Sequence, residues 1–303
     1  MTLRRWVLAT SPAGLLLLSA VSSSNSFDPR LQHAVDHALG GHSGAIVIID
    51  VASNEILASK NLEFAGKQLI RPGSTLKPFV LMELLDSGKL DPKERLICRR
   101  PLRIGSLRLD CSHTADVTQL DADDAVAYSC NSYVAEVALR LNRGELMEAL
   151  RRAGLDSLTG LAKSESAGHM DRPASHQQLQ LTALGARGIE VTPLELLEAY
   201  RKLALRKRSG SISPEEPVFQ GLEHAITYGT AHAVYVEGMK IAGKTGTAAA
   251  ANNPRTHGVF AGYAPADHPE IAIVVYVPQG RGLDAAMAAQ SVLEAYGQMK
   301  KKP

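Results

Sequence analysis

Apolar strand signals stand at both ends of this chain, with helical patterns between them. Near the start, GAIVIIDV (residues 44–51) is β-branched and bounded by glycine and polar residues, as a buried strand requires. Ser53-Asn54 supplies a turn, and residues 55–60 pair back as a hairpin. Near the end, residues 239–245, 256–264 and 271–277 read as three further strands, with Gly258, Gly262 and Pro265 punctuating the second. A strand buries its apolar face only against another layer, so the two ends are expected to share one sheet carrying a helical insert. Two consecutive domains are disfavoured.

Helices are expected over residues 27–40 and from about Ser74, where Val80, Leu81, Leu84 and Leu85 share a face and Gly88 marks the end. Pro78 is tolerated only near a helix start, so the first turn spans residues 74–77. Residues 89–120 lack periodicity and read as a long connection. The helical pattern of residues 121–142 breaks at Ser129-Cys130-Asn131-Ser132, which are cap-type residues, so two helices meet there. Thr192-Pro193 opens another helix with the threonine as cap, and residues 284–299 form a closing one.

Composition removes several function classes. Apolar residues at 45% and charged residues at 21% describe a globular chain. A formal charge of +2 gives no general reason to bind nucleic acid, and 5% aromatic residues do not furnish stacking platforms. Three cysteines lack the paired C-x-x-C spacing of a structural zinc site. His113 follows Cys111 by two residues, but no metal site is expected there. A disulfide between Cys98 and Cys111 is expected in the long connection, leaving Cys130 free. At the N-terminus, Arg4 and Arg5 precede an apolar run over residues 6–21 and small residues at 20–24. Residues 1–25 read as an export signal, cleaved or kept as a membrane anchor, with one domain over 26–303. The expected location is periplasmic or otherwise extracytoplasmic. The basic run from Arg201 to Arg208 reads as a solvated helix end.

Three short strings occur in order: Ser74-Thr75-Leu76-Lys77, Ser129-Cys130-Asn131 and Lys244-Thr245-Gly246-Thr247. Each is cheap alone; a second S-x-N sits at Ser23 to Asn25 in the leader. A serine hydroxyl needs an adjacent base, and residues three apart on a helix share a face, so Lys77 can reach the Ser74 oxygen. Desolvation and neighbouring cations lower a lysine pKa enough for it to accept a proton. Ser129 can relay a proton between Lys77 and a leaving amine, and Asn131 can donate to a substrate carbonyl. Lys244, with the Thr245 and Thr247 hydroxyls, can hold a carboxylate. Gly246 admits close approach on a strand, and the Ser74 and Thr247 amides can form an oxyanion hole. The plain alternatives are a capping serine, a polar helix corner and an ordinary edge strand.

Together these strings resemble the transpeptidase domain of penicillin-binding proteins, within the serine β-lactamase and D,D-peptidase superfamily. The similarity extends to GAIVIIDVASNEILA, to SCNSYVAEVALRL, to ALGARGIEVTPLELLEAYRKLA and to HGVFAGYAPADHPEIAIVVYV. The resemblance implies an α/β (α+β) fold: a five-stranded, mainly antiparallel sheet flanked by helices, an all-helical subdomain, and the site in the cleft between them. It implies acylation of Ser74 by a D-alanyl-D-alanine stem peptide of peptidoglycan or by a β-lactam, with Lys77 as base. It gives Ser129 and Asn131 the second-motif roles, Lys244, Thr245, Gly246 and Thr247 the substrate-binding roles, and requires no cofactor. A D,D-transpeptidase or carboxypeptidase is the expectation; a serine β-lactamase and a non-catalytic penicillin-recognising sensor or partner subunit are the alternatives. High-molecular-weight members carry an extra N-terminal module, whereas about 45 residues precede the first hairpin here. Class A β-lactamases use a glutamate in an E-x-x-x-N setting; Glu165 lies in the right stretch, but His169 stands where the asparagine belongs. Slow deacylation by water is therefore expected.

Overall fold

The β-branched run near the start of the chain pairs directly with the last strand. The computed structural model describes residues 28–210, 213–249 and 256–301; the expected leader lies outside them. Helix α1 (Pro29–Ala38) precedes a hairpin of β1 (Ala45–Asp50) and β2 (Ile56–Lys60). Helix α2 (Leu62–Lys67), a 3-10 turn (Gly73–Leu76) and helix α3 (Lys77–Asp86) come next. The excursion after α3 carries four two-residue strands: β3 (Leu96–Ile97), β4 (Arg103–Ile104), β5 (Leu107–Arg108) and β6 (Gln119–Leu120). Helices α4 (Ala122–Ala127), α5 (Asn131–Val137) and α6 (Arg143–Ala153) lead to β7 (His169–Met170), α7 (His176–Ala183) and β8 (Ile189–Glu190). Helices α8 (Pro193–Ser209) and α9 (Glu216–Thr227) return the chain to β9 (Ala242–Ala249), β10 (Thr256–Ala264), β11 (Ile271–Val277) and α10 (Gly282–Lys301).

The main sheet runs β2-β1-β11-β10-β9, every neighbour antiparallel. Ala45 lies opposite Tyr276 and Asp50 opposite Ile271, which closes the sheet with strands from opposite ends of the sequence. Val47 and Ile49 enter the larger core with residues of α3, α5 and α8, while Ile46 and Ile48 join α1 and α10 on the other face. Both faces are covered, which is why β1 reads as an uninterrupted apolar run rather than an alternating one. The expected mixed α/β architecture, with a five-stranded antiparallel sheet and a helical insert, is the observed one.

Local signals held at several boundaries. The Thr192 hydroxyl accepts from the Glu195 amide and the Glu195 carboxylate from the Thr192 amide, a reciprocal cap with Pro193 in the first turn. The polar corner at residues 128–130 separates α4 from α5. Elsewhere the structure departs from expectation. The strand expected over 239–245 runs instead over 242–249, because pairing with β10 begins at Ala242 opposite Tyr263. The connection over 89–120 is pinned by two small ladders, β3 with β6 and β4 with β5. The basic run is solvated only in part: Lys202 and Arg208 are exposed, but Arg201 donates to the Val51 carbonyl at 2.9 Å and pairs with Glu198, and Arg206 pairs with Glu215 at 2.6 Å.

Candidate active site

Ser74 sits in the 3-10 turn that leads straight into α3, so the two elements bring Ser74 and Lys77 onto one turn of chain. Gly73 makes the approach possible. Its φ of +56° lies in the left-handed region, and a Cβ there would stand 3.1 Å from the Thr247 carbonyl oxygen. The turn thus packs against β9, which is an edge strand of the sheet. Gly246 answers from the strand side, where a Cβ would meet the Pro72 carbonyl oxygen at 2.6 Å. Glycine is needed at both positions for the serine turn and the strand to touch.

Lys77 is fully buried. Its ammonium nitrogen donates to the Ser129 carbonyl at 2.6 Å, to Ser129 Oγ at 3.2 Å and to Asn131 Oδ1 at 2.5 Å. Burial pulls its pKa down to about 8, partly offset by the nearby thiols of Cys130 and Cys111. Ser129 itself holds φ at +56°, a conformation that non-glycine residues avoid and that stores backbone strain. Asn131 opens α5. Its amide, expected to meet a substrate carbonyl, is engaged by the chain: Nδ2 donates to Leu109 O at 3.0 Å.

Lys244 is likewise fully buried on β9. Its nitrogen donates to Thr230 Oγ1 at 3.1 Å and to the Thr245 carbonyl at 3.2 Å. Burial, and then the charge of Lys77, hold it well below an ordinary lysine pKa. Thr245 and Thr247 part company. The Thr245 hydroxyl is buried and donates to the Thr230 carbonyl at 3.3 Å, whereas the Thr247 side chain is exposed and its hydroxyl accepts from the Gly282 amide at 2.8 Å. Thr230, which fixes both Lys244 and Thr245, had no signal in the sequence. It lies beyond α9 in a segment without motif or periodicity.

A cavity of about 310 Å³ is lined by Ser74, Asn131 and Thr247 together with Arg71, Leu109 and Arg187. Lys77, Ser129, Lys244 and Thr245 stand behind this wall rather than in it. The three strings of the sequence therefore converge on one site, from a turn, a helix corner and a strand edge. Glu165 does not join them. Its carboxylate accepts from the amides of Thr159 at 2.6 Å, Gly160 at 3.2 Å and Ala162 at 2.7 Å, and from the Thr159 hydroxyl at 2.9 Å. Burial pushes its pKa up, but these donors outweigh that and hold it below the usual carboxylate value. It staples a turn.

The cysteines correct one expectation, the disulfide, and bear on another. Cys98, Cys111 and Cys130 are all free thiols. Cys98 and Cys111 Sγ stand 3.6 Å apart, against about 2.05 Å in a disulfide. Cys130 lies as near to each of them as they lie to one another, at 3.5 Å, so no pair is singled out. The absence of C-x-x-C spacing was no guide either. The excursion after α3 folds back on the second motif and gathers Cys98, Cys111, His113 and Cys130 into one cluster.

Comparison with known proteins gives this arrangement its family. Residues 44–296 match the penicillin binding protein transpeptidase domain. The chain is 26% identical to the probable peptidoglycan D,D-transpeptidase PenA of Neisseria gonorrhoeae, over 84% of this chain and 52% of that protein. It is 27% identical to the peptidoglycan D,D-transpeptidase FtsI of Escherichia coli, over 83% of this chain and 51% of that protein. The chain spans about half the length of these curated relatives. Among solved structures, the apo transpeptidase domain of Burkholderia pseudomallei penicillin-binding protein 3 superimposes with a TM-score of 0.79 at 19% identity, covering 91% of this chain and 96% of that one. The D,D-transpeptidase domain of a peptidoglycan glycosyltransferase from Eggerthella lenta gives 0.77 at 21% identity, covering 90% and 82%. Sequence and fold agree, and the chain belongs to the penicillin binding protein transpeptidase domain family.

Proposed function

We propose that this protein is an extracytoplasmic serine D,D-transpeptidase or carboxypeptidase acting on D-alanyl-D-alanine stem peptides of peptidoglycan, through an acyl-enzyme on Ser74. The observation that carries the reading is a fully buried Lys77 with a pKa near 8, one helical turn from Ser74 and bonded to both Ser129 and Asn131. A neutral amine has two N–H donors and one lone pair. The donors serve the Ser129 carbonyl and Asn131 Oδ1, which frees the lone pair for a hydroxyl proton.

In the proposed reaction, Ser74 Oγ attacks the carbonyl between the two D-alanines and its proton passes to Lys77. The tetrahedral oxyanion is met by the Ser74 and Thr247 amides. As the C–N bond breaks, the proton moves from Lys77 through Ser129 to the leaving amine, and free D-alanine departs. An amine acceptor, or water more slowly, then takes the acyl group from Ser74. The Thr247 hydroxyl, which lines the cavity, meets the terminal carboxylate, and Lys244 behind it adds a positive field. A β-lactam enters by the same attack, but its ring opening leaves the amine tethered. With Glu165 committed to its turn, no carboxylate among the described residues lines the cavity to drive water onto the ester.

Incubation with a labelled penicillin, followed by intact mass over time, tests the reading. A persistent adduct on Ser74 is expected, and none in Ser74→Ala. Rapid turnover without adduct would assign a β-lactamase, and neither adduct nor turnover a non-catalytic role.

A further inference from the structure

One residue from both Ser129 and Asn131 lies a group of side chains that the acyl-transfer reading does not use. Cys98 follows β3, Cys111 and His113 follow the β4–β5 hairpin, and Cys130 caps α5. Each offers one ligand atom, and all four atoms lie within 4.8 Å of one another. The sulfurs form a nearly equilateral triangle with edges of 3.6, 3.5 and 3.5 Å. A disulfide cannot span such edges, and a disulfide would use only two of the three atoms. Tetrahedral zinc with Zn–S bonds of about 2.3 Å has S···S edges of about 3.75 Å, so the triangle needs to open by only about 0.2 Å. An ion about 1 Å above its plane meets all three sulfurs, and His113 closes in as the fourth ligand.

We propose that Cys98, Cys111, Cys130 and His113 form a structural zinc site that clamps the 98–113 excursion onto the Ser129-Cys130-Asn131 corner. The donor set is soft sulfur plus imidazole without carboxylate, which suits zinc and excludes magnesium and calcium. An outer shell is in place. The Ser132 amide donates to Cys111 Sγ and the Tyr133 amide to Cys130 Sγ, both at 3.4 Å. The Arg100 guanidinium lies against both ring nitrogens of His113, and Nδ1 also stands 3.1 Å from the Thr114 carbonyl, a second-shell acceptor for a ring proton once the metal takes Nε2. Coordination through the ring requires Arg100 to move off His113, and it can stay beside Cys98 and the Thr114 carbonyl. The balance is simple: one Zn²⁺ displaces three thiol protons and leaves a cluster of net charge −1, which the Arg100 cation offsets.

The site also explains why a cysteine occupies the middle of the second motif. Cys130 is flanked by the two residues that hold Lys77, and Asn131 is further tied to Leu109 of the same excursion. Anchoring Cys130 to three ligands outside its helix fixes Ser129 in its left-handed conformation. This positioning role rests on the proposed acyl-transfer function; the metal site itself does not.

The test uses the full chain, reduced and stripped with a chelator, then titrated with Zn²⁺ and with Co²⁺. Expected results are one ion per chain by metal analysis, a thiolate-to-cobalt charge-transfer band with intense tetrahedral d–d bands, and three thiols that become protected on zinc binding. Cys111→Ser and His113→Ala should each weaken zinc at least about 100-fold, more than loss of an outer-shell partner does. His113→Ala keeps all three sulfurs, and circular dichroism checks that it is folded. Stripping should slow penicillin acylation about tenfold or more, with recovery on adding Zn²⁺. No saturable zinc or cobalt binding by the reduced chain, or a Cys98–Cys111 disulfide in metal-free protein isolated from cells, overturns the site. Zinc binding with an acylation rate indifferent to stripping overturns the positioning role. Zinc binding by a chain that never acylates leaves the site standing and removes the function proposed above.

Discussion

The two walls of the cleft hold their lysines by different means. Lys244 rides on β9, which pairs with β10 residue for residue from Ala242 opposite Tyr263 to Ala249 opposite Thr256. Backbone bonds set its place, and side chains refine it. Lys77 faces a corner that has no such ladder. Ser129 and Asn131 are placed by a strained backbone, by side-chain bonds and by an excursion whose strands are two residues long. A ladder spreads a perturbation over many bonds, whereas a side-chain network concentrates it in the residue that is changed. Substitutions on the helical wall should therefore act on chemistry with the fold intact, and substitutions on the sheet wall should act by displacing the strand.

The largest effect is expected at the helical wall. Lys77→Arg keeps a cation but supplies no base, because guanidinium stays protonated. Acylation by a labelled penicillin should fall about 10³-fold with an unchanged circular dichroism spectrum, as loss of a general base predicts. A rate within tenfold of the parent would remove Lys77 from that role. On the sheet wall, Gly246→Val drives a side chain into the Pro72 carbonyl and pushes β9 from the serine turn. Acylation should drop about 100-fold, the cost of a misplacement near 1 Å, and the melting temperature should fall with it. A variant that loses rate without losing stability would mean that the two walls do not differ as described.

A pH series sharpens the contrast without mutation. Lys77, depressed to about 8, stays protonated below that pH and is a free amine above it. Its basic fraction grows from about a tenth at pH 7 to about nine-tenths at pH 9, so the acylation rate should rise about tenfold across that interval. A flat profile would show that proton removal by Lys77 does not limit the rate. The smallest kinetic effect is expected away from both walls. Glu165→Gln should change deacylation by less than about twofold, against the 10² to 10⁴ that a general base supplies. It should instead lower the melting temperature by a few degrees, because the turn at residues 159–162 loses a charged acceptor. A large change in ester lifetime would restore Glu165 as a water-activating group.

The same division governs what the sequence disclosed. The sheet was legible because β1 and β11 are β-branched runs buried on both faces, and Thr256–Ala264 and Ile271–Val277 coincide with their expected bounds. The serine turn was legible because Pro78 admits only one helix start nearby. Helices α2, α6, α7 and α9 were missed, and with α9 went Thr230, whose two bonds to β9 depend on a long return of the chain rather than on any local pattern. The expected disulfide failed for a similar reason. Spacing alone favoured Cys98 with Cys111, while the tertiary fold delivers a third thiol at the same distance. Thr245 was assigned to the cleft together with Thr247, with which it shares a face of β9, yet its hydroxyl is covered by the segment after α9 and turns to the Thr230 carbonyl.

The pairing of β1 with β11 also sets a schedule for synthesis. Ribosomes release the serine turn, then the helical insert, long before residues 271–277 exist. Until those residues emerge, β1 has an open edge along Ala45–Asp50, and the β9–β10 hairpin has no platform on which to lie against Ser74. Such long-range closure is slow and leaves apolar strands uncovered for much of its course. A nascent chain of this design thus carries its proposed nucleophile unarmed until the last strand has been made.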